Sequence, residues 1–108
     1  MHLNTQNLAV QIVRFVDDTQ PGRVACEFKD AEGRRHTLVD KVPIFSSKLL
    51  DAASNYPQCG LVRCEVMKRW QDDRGRELAR ISMACPDDIE STEGLSEFVV
   101  LSAQLSIE

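Results

Sequence analysis

The stretch Arg23-Val24-Ala25-Cys26-Glu27-Phe28-Lys29, followed by Asp30-Ala31-Glu32-Gly33 and then Arg34-Arg35-His36-Thr37-Leu38-Val39-Asp40, decides how the rest of the chain is read. Its apolar residues recur every second position, so Val24, Cys26 and Phe28 face one way and Ala25, Glu27 and Lys29 the other, the pattern of a strand with one buried face. Asp30 opens a turn and Gly33 supplies its left-handed residue, which predicts a hairpin. If Leu38 points inward on the returning strand, His36 does too.

The same period extends outward in both directions. Leu8 to Val16 reads as a strand with Leu8, Val10 and Ile12 on one face, ended by the turn-forming run Asp17 to Gly22. Residues 1–7 read as a polar leader. Lys41 to Phe45 extends the third strand irregularly, because Pro43 has no amide hydrogen for a ladder. Ser46 or Ser47 caps a predicted helix over Ser47 to Ala53, with Leu49, Leu50, Ala52 and Ala53 as its apolar side, and Asn55-Tyr56-Pro57 stops it. Strands resume at Leu61 to Trp70, with Val62, Cys64, Val66 and Trp70 sharing a face, and at Arg76 to Ala84. A long polar loop from Cys85 to Gly94 precedes a last strand, Ser96 to Ile107, with Val99, Leu101, Ala103, Leu105 and Ile107 on one side.

The order is thus β-β-β-α-β-β-β over one domain, residues 1–108. This predicts a mainly β fold, a small barrel with the strand order of an OB-like barrel plus a sixth strand; a small β-sandwich is the alternative. The two hairpins echo each other at an offset of 42 residues, sharing a valine, an aromatic and Asp-x-x-Gly-Arg, which hairpin chemistry alone or an internal duplication would produce.

A chain of 108 residues with 43% apolar and 28% charged residues has ordinary globular proportions. No apolar run approaches the roughly 20 residues of a membrane helix, and nothing at the N-terminus reads as a secretory signal, so a cytoplasmic protein with no membrane association is expected. The four cysteines, Cys26, Cys59, Cys64 and Cys85, lack a Cys-x-x-Cys pair, and Cys26 and Cys64 sit within apolar alternations. Reduced thiols, with no metal and no cofactor, follow.

Charge is unevenly distributed. Residues 1–80 hold all thirteen basic residues and eleven acids, whereas residues 81–108 hold six acids and no Lys or Arg, giving +2 and −6 within a net −4. Such segregation creates a local field larger than the net charge suggests. Asp87, Asp88, Glu90, Glu93 and Glu97 therefore form a candidate docking surface for a protein with a basic surface, unless they fold back on the chain's own arginines. A non-catalytic interaction module follows, in specific form a small acidic bacterial-type regulator or immunity-type inhibitor that covers a basic site.

The alternative is a single-stranded nucleic-acid binder in which Trp70 stacks bases beside Arg63, Arg69, Arg74 and Arg76. The acidic net charge and the mixed-sign row Arg63, Glu65, Met67, Arg69 argue against a polyanion track. A further alternative is a small-ligand barrel with a pocket at His36. No nucleophile elbow, phosphate loop, dinucleotide fingerprint or zinc-protease motif occurs, and Ser91 and Thr92 read as turn caps, so no enzyme is expected. The last strand offers an edge through which a second copy could pair.

Overall fold

A strand buries one face only if it finds neighbours, and β1 (Thr5–Asp17) finds three. Its C-terminal half pairs with β2 (Arg23–Lys29), from Gln11 opposite Glu27 to Asp17 opposite Arg23. Its N-terminal half pairs on the other edge with β4 (Gln58–Gln71), from Thr5 opposite Glu65 to Ile12 opposite Gln58. The edge that β2 leaves is taken by β7 (Leu105–Ile107), which places Leu105 opposite Leu8. With β3 (Arg35–Lys41), β5 (Glu77–Ser82) and β6 (Glu97–Leu101), the order across the sheet is β3-β2-β1-β4-β5-β6, every pair antiparallel. The chain is mainly β, and the seven strands curl into a half-barrel. The computed structural model describes residues 4–107.

The core fills the inside of that curl. Leu8, Val10 and Ile12 of β1, Val24, Cys26 and Phe28 of β2, Leu38 of β3, and Val62, Cys64 and Val66 of β4 are all buried, as the alternation requires. Phe98 packs edge-on against Phe28 with ring centroids 5.1 Å apart, in the geometry aromatic pairs prefer. Burial raises the thiol of Cys26 to about 12 and that of Cys64 to about 11, because a thiolate has no water to solvate it there.

The structure corrects four expectations. The helix, α1, is the single turn Val42–Phe45, and Ser47 to Ala53 is irregular. Pro43 starts that turn with its fixed φ, and Val42 and Phe45, three residues apart, are its buried pair. Beyond it, side chains take the backbone groups a helix would use. The Lys48 amide donates to Ser46 Oγ, the Asp51 amide to Ser54 Oγ and the Ala53 amide to Asp51 Oδ1. Leu49 is 100% exposed and Ala52 and Ala53 are exposed too, so of the expected apolar side only Leu50 packs against the core.

The polar leader is shorter than expected. Thr5 to Asn7 belong to β1, while residues 1–3 lie outside the described set. The last strand is interrupted by a 3-10 turn at Ser102–Gln104, where Gln104 accepts from the Leu101 amide and donates to the Lys29 carbonyl. Its buried residues are Phe98 and Val100, with Val99, Leu101 and Leu105 half-buried and Ala103 and Ile107 exposed. Phe98 to Leu101 is apolar at every position, so period two could not select the phase. Ala25, expected outward, is buried as well.

Candidate functional site

Between β5 and β6 the chain leaves the sheet and forms a lobe over residues 83–96. Met83 and Ile89 are its apolar pins, both buried. Backbone bonds close it upon itself: the Met83 amide donates to the Ser96 carbonyl at 2.7 Å, Ile89 to Met83 at 2.8 Å, and Ser91 to Leu95 at 2.7 Å. Gly94, with φ 82°, makes the reversal that the second turn needs. Ser91 Oγ accepts from the Glu93 and Leu95 amides, the turn-capping role its sequence position suggested. The lobe is fastened to the first hairpin by the Thr92 amide on the Thr37 carbonyl at 2.9 Å and by a bridge between Leu38 and Ser91.

This architecture sorts the five acids into two kinds. Asp87 receives Arg63 of β4 through both oxygens, at 3.2 and 2.7 Å. Glu93 lies 3.3 Å from Arg34 Nη2, and Glu97 takes Arg80 at 2.6 Å. Asp87 and Glu93 anchor the lobe, and Glu97 joins β6 to β5 at its root. Asp88 and Glu90 are exposed and make no ion pair among the described residues. Asp88 has φ 54°, in the left-handed region that Asp tolerates better than most residues, so the turn sets its direction.

A hollow of about 440 Å³ opens beside the anchors, lined by Lys41, Pro43, Ile44, Leu61, Arg63 and Asp87 among others. Leu61 is one of the few exposed large apolar residues. Sequence reading did not find this seat, because it depends on α1 lying against Gly60. A β-carbon there would stand 3.1 Å from the Phe45 carbonyl oxygen and 2.9 Å from two Ile12 side-chain carbons. Gly60 stands just before the strand expected from Leu61, and the structure places it inside β4, where a glycine marks a close approach.

The residues of the stacking reading are scattered. Trp70 is half-buried, with Lys68 Nζ 5.5 Å from its ring centroid and Arg69 bonded to Ser102 Oγ. Arg63 lies seven residues back along β4, about 20 Å at the usual rise per residue, and is on Asp87. Arg76 is held inside the second hairpin turn by Asp72 Oδ2 at 2.7 Å and also donates to the Ala31 carbonyl. Arg74 is exposed in that turn. The cysteines divide as the alternation implied, Cys26 and Cys64 buried and Cys59 and Cys85 exposed.

His36 is 4% exposed. Its ring stands between those of Phe28 and Phe98, with centroids at 5.3 and 4.7 Å, and its Nε2 donates to Asp30 Oδ2 at 2.8 Å. It does not line the hollow at Ile44, Leu61, Arg63 and Asp87. No helix among those residues is long and apolar enough to cross a membrane. No protein-family model, curated protein or solved structure matches the chain.

Proposed function

We propose that this chain is a non-catalytic protein-interaction domain, docking a partner with a basic surface through the 83–96 lobe. The observation that carries the reading is the division of labour among the lobe's acids. Asp87 and Glu93 tie the lobe to Arg63 and Arg34, Glu97 of β6 pairs with Arg80 of β5 at its root, and Asp88 and Glu90 stand exposed on the resulting support. Charges held in place before a partner arrives cost little further ordering on binding, and uncompensated acids steer a basic partner during encounter. The hollow at Ile44 and Leu61 gives an apolar side chain of the partner a seat beside them. A small acidic regulator or inhibitor of the immunity type, working in the reducing cytoplasm, is the specific form of this reading.

Catalysis draws no support from His36, whose ring is enclosed by Phe28 and Phe98. The nucleic-acid reading retains the Lys68–Trp70 contact, but two of its four arginines are engaged with Asp87 and Asp72. Of the last strand, Leu105–Ile107 pairs with β1 while β6 ends the sheet order.

The test is affinity capture with immobilised wild type, D88N/E90Q and the control D18N, at about 50 and 300 mM salt. A protein of basic isoelectric point retained by wild type and D18N, and lost with D88N/E90Q or at high salt, supports docking. Equal capture by D88N/E90Q, or retention of nucleic acid alone, overturns it.

A further inference from the structure

His36 carries a buried nitrogen with nothing to bond. Its Nδ1 is shielded from solvent and has no hydrogen-bond partner among the described residues, and Glu93 Oε1 of the lobe lies 3.9 Å away. Burial raises the affinity of the Asp30 carboxyl for a proton, but the bonds from His36 and from the Arg34 and Glu32 amides outweigh it and hold this carboxyl below its ordinary range. Asp30 is therefore an anion at neutral pH and only accepts, which puts the proton of the neutral imidazole on Nε2. Nδ1 is then a bare lone pair facing a carboxylate, and two acceptors cannot bond.

We propose that His36 is a proton-operated latch for the lobe: a second proton, taken up on Nδ1, is donated to Glu93 and ties the Ser91–Leu95 turn to β3. The imidazolium would donate from both nitrogens to two carboxylates on two different elements, Asp30 in the β2–β3 turn and Glu93 in the lobe. Glu93 is already directed there, since Arg34 holds its other oxygen at 3.3 Å. Among the described residues the charged groups facing the pair are the carboxylates of Asp30 and Glu93 and the guanidinium of Arg34, which pairs with Glu93. Phe28 and Phe98 present rings only. Arg76, on the Ala31 carbonyl, is balanced by Asp72 and Glu32. Without the latch the turn is held to β3 by the Thr92 amide and the Leu38–Ser91 bridge, so protonation adds a side-chain tie to two backbone contacts. This inference does not depend on what the lobe docks.

The experiment is nuclear magnetic resonance on the full chain between pH 8 and 5, following the His36 ring nitrogens together with amide-exchange protection factors of Ser91 and Thr92. At high pH the ring should report Nε2–H and a bare Nδ1. Through the midpoint at which Nδ1 gains its proton, protection of both amides should rise about tenfold, equivalent to about 1.4 kcal/mol and near the low end for a hydrogen bond to a charged group. In E93Q the side-chain amide donates to neutral Nδ1, so protection should not rise on acidification. The latch is overturned by flat wild-type protection across the ring's titration, by the same rise in E93Q, by Nδ1–H at high pH, or by a ring that takes up no second proton above pH 5.

Discussion

The division of the lobe's acids into anchors and presenters makes a quantitative demand on two double variants, D87N/E97Q and D88N/E90Q. Asp87 makes two bonds to Arg63, and its side chain is only 18% exposed, whereas Glu97 meets Arg80 at a more open site. Exposed ion pairs contribute about 0.2–1 kcal/mol each. With Asp87 at the upper end and Glu97 near the middle, the first variant should lose about 1.5 kcal/mol. A domain of this size shifts by about 4–8 °C per kcal/mol, so its Tm should fall by on the order of 8 °C. D88N/E90Q breaks no bond and should stay within about 0.5 kcal/mol of wild type, the usual range for surface changes away from special features. Melting followed by circular dichroism at low and high salt is the assay, and the deficit of D87N/E97Q should shrink as salt screens the pairs in wild type. Equal losses in the two variants, or none in D87N/E97Q, would refute the sorting and with it the rigid support on which the docking proposal stands.

Gly60→Ala should destabilise by about 1–2 kcal/mol, since overpacking costs about 1–3 kcal/mol and the entropic gain from replacing glycine returns only about 0.5–1; an unchanged or higher urea midpoint would mean that α1 is not seated on β4 as described. In native protein at pH 8, a thiol reagent should label Cys59 and Cys85 promptly and Cys26 and Cys64 only on unfolding, because burial both blocks the latter pair and raises them to about 12 and about 11; prompt labelling of four thiols contradicts the core. Asp17 and Asp72 are held below the usual carboxylate range by Arg23 and Arg76, and Asp30 by the bonds that outweigh its burial. A carboxyl depressed in the folded state stabilises fully above its unfolded value and loses that contribution as pH falls through the folded one. The contributions of these three should therefore stay constant from pH 7 to 5 and be lost below about pH 4, where Tm falls, with a shallower acid limb in D72N; an identical limb in D72N would remove Asp72 from the account.

The hairpins, the inward residues of β1 and β2, and those of β4 as far as Val66 were legible because each rests on local chemistry and a period of two. The register shift between Val66 and Lys68 leaves Trp70, expected on the same face, half-buried and outside the core. What failed did so where two local codes competed or where the phase was undefined. Ser46, Asp51 and Ser54 bond backbone groups within a few residues, and this defeated a helix whose apolar stripe looked adequate on paper. Phe98 to Leu101 is apolar throughout, so its inward residues were chosen by contact with Phe28 and His36, both far away in sequence. At the candidate site the five acids could be named from composition. Their sorting could not, because it depends on Arg34 of the β2–β3 turn and Arg63 of β4, which the fold brings to the lobe, and on Arg80 of β5, which meets Glu97 of β6.

The echo between the hairpins shows how one residue redirects such a choice. Asp30 and Asp72 occupy equivalent places, and in each the Oδ1 atom accepts two amides, those of Glu32 and Arg34 or of Arg74 and Arg76. Gly33 and Gly75, at φ 81° and 78°, close the two turns alike, so the repeated Asp-x-x-Gly-Arg is sufficiently explained by turn chemistry. Each aspartate has one oxygen left. In the second hairpin Leu78 stands where His36 stands in the first and offers no donor, so Arg76 folds back and takes Oδ2 at 2.7 Å. In the first hairpin His36 takes that oxygen instead. Arg34, the counterpart of Arg76, is thereby released to reach outward to Glu93. The histidine thus has two consequences from one substitution of side-chain type: it occupies the aspartate, and it frees an arginine to position the carboxylate that faces its own second nitrogen.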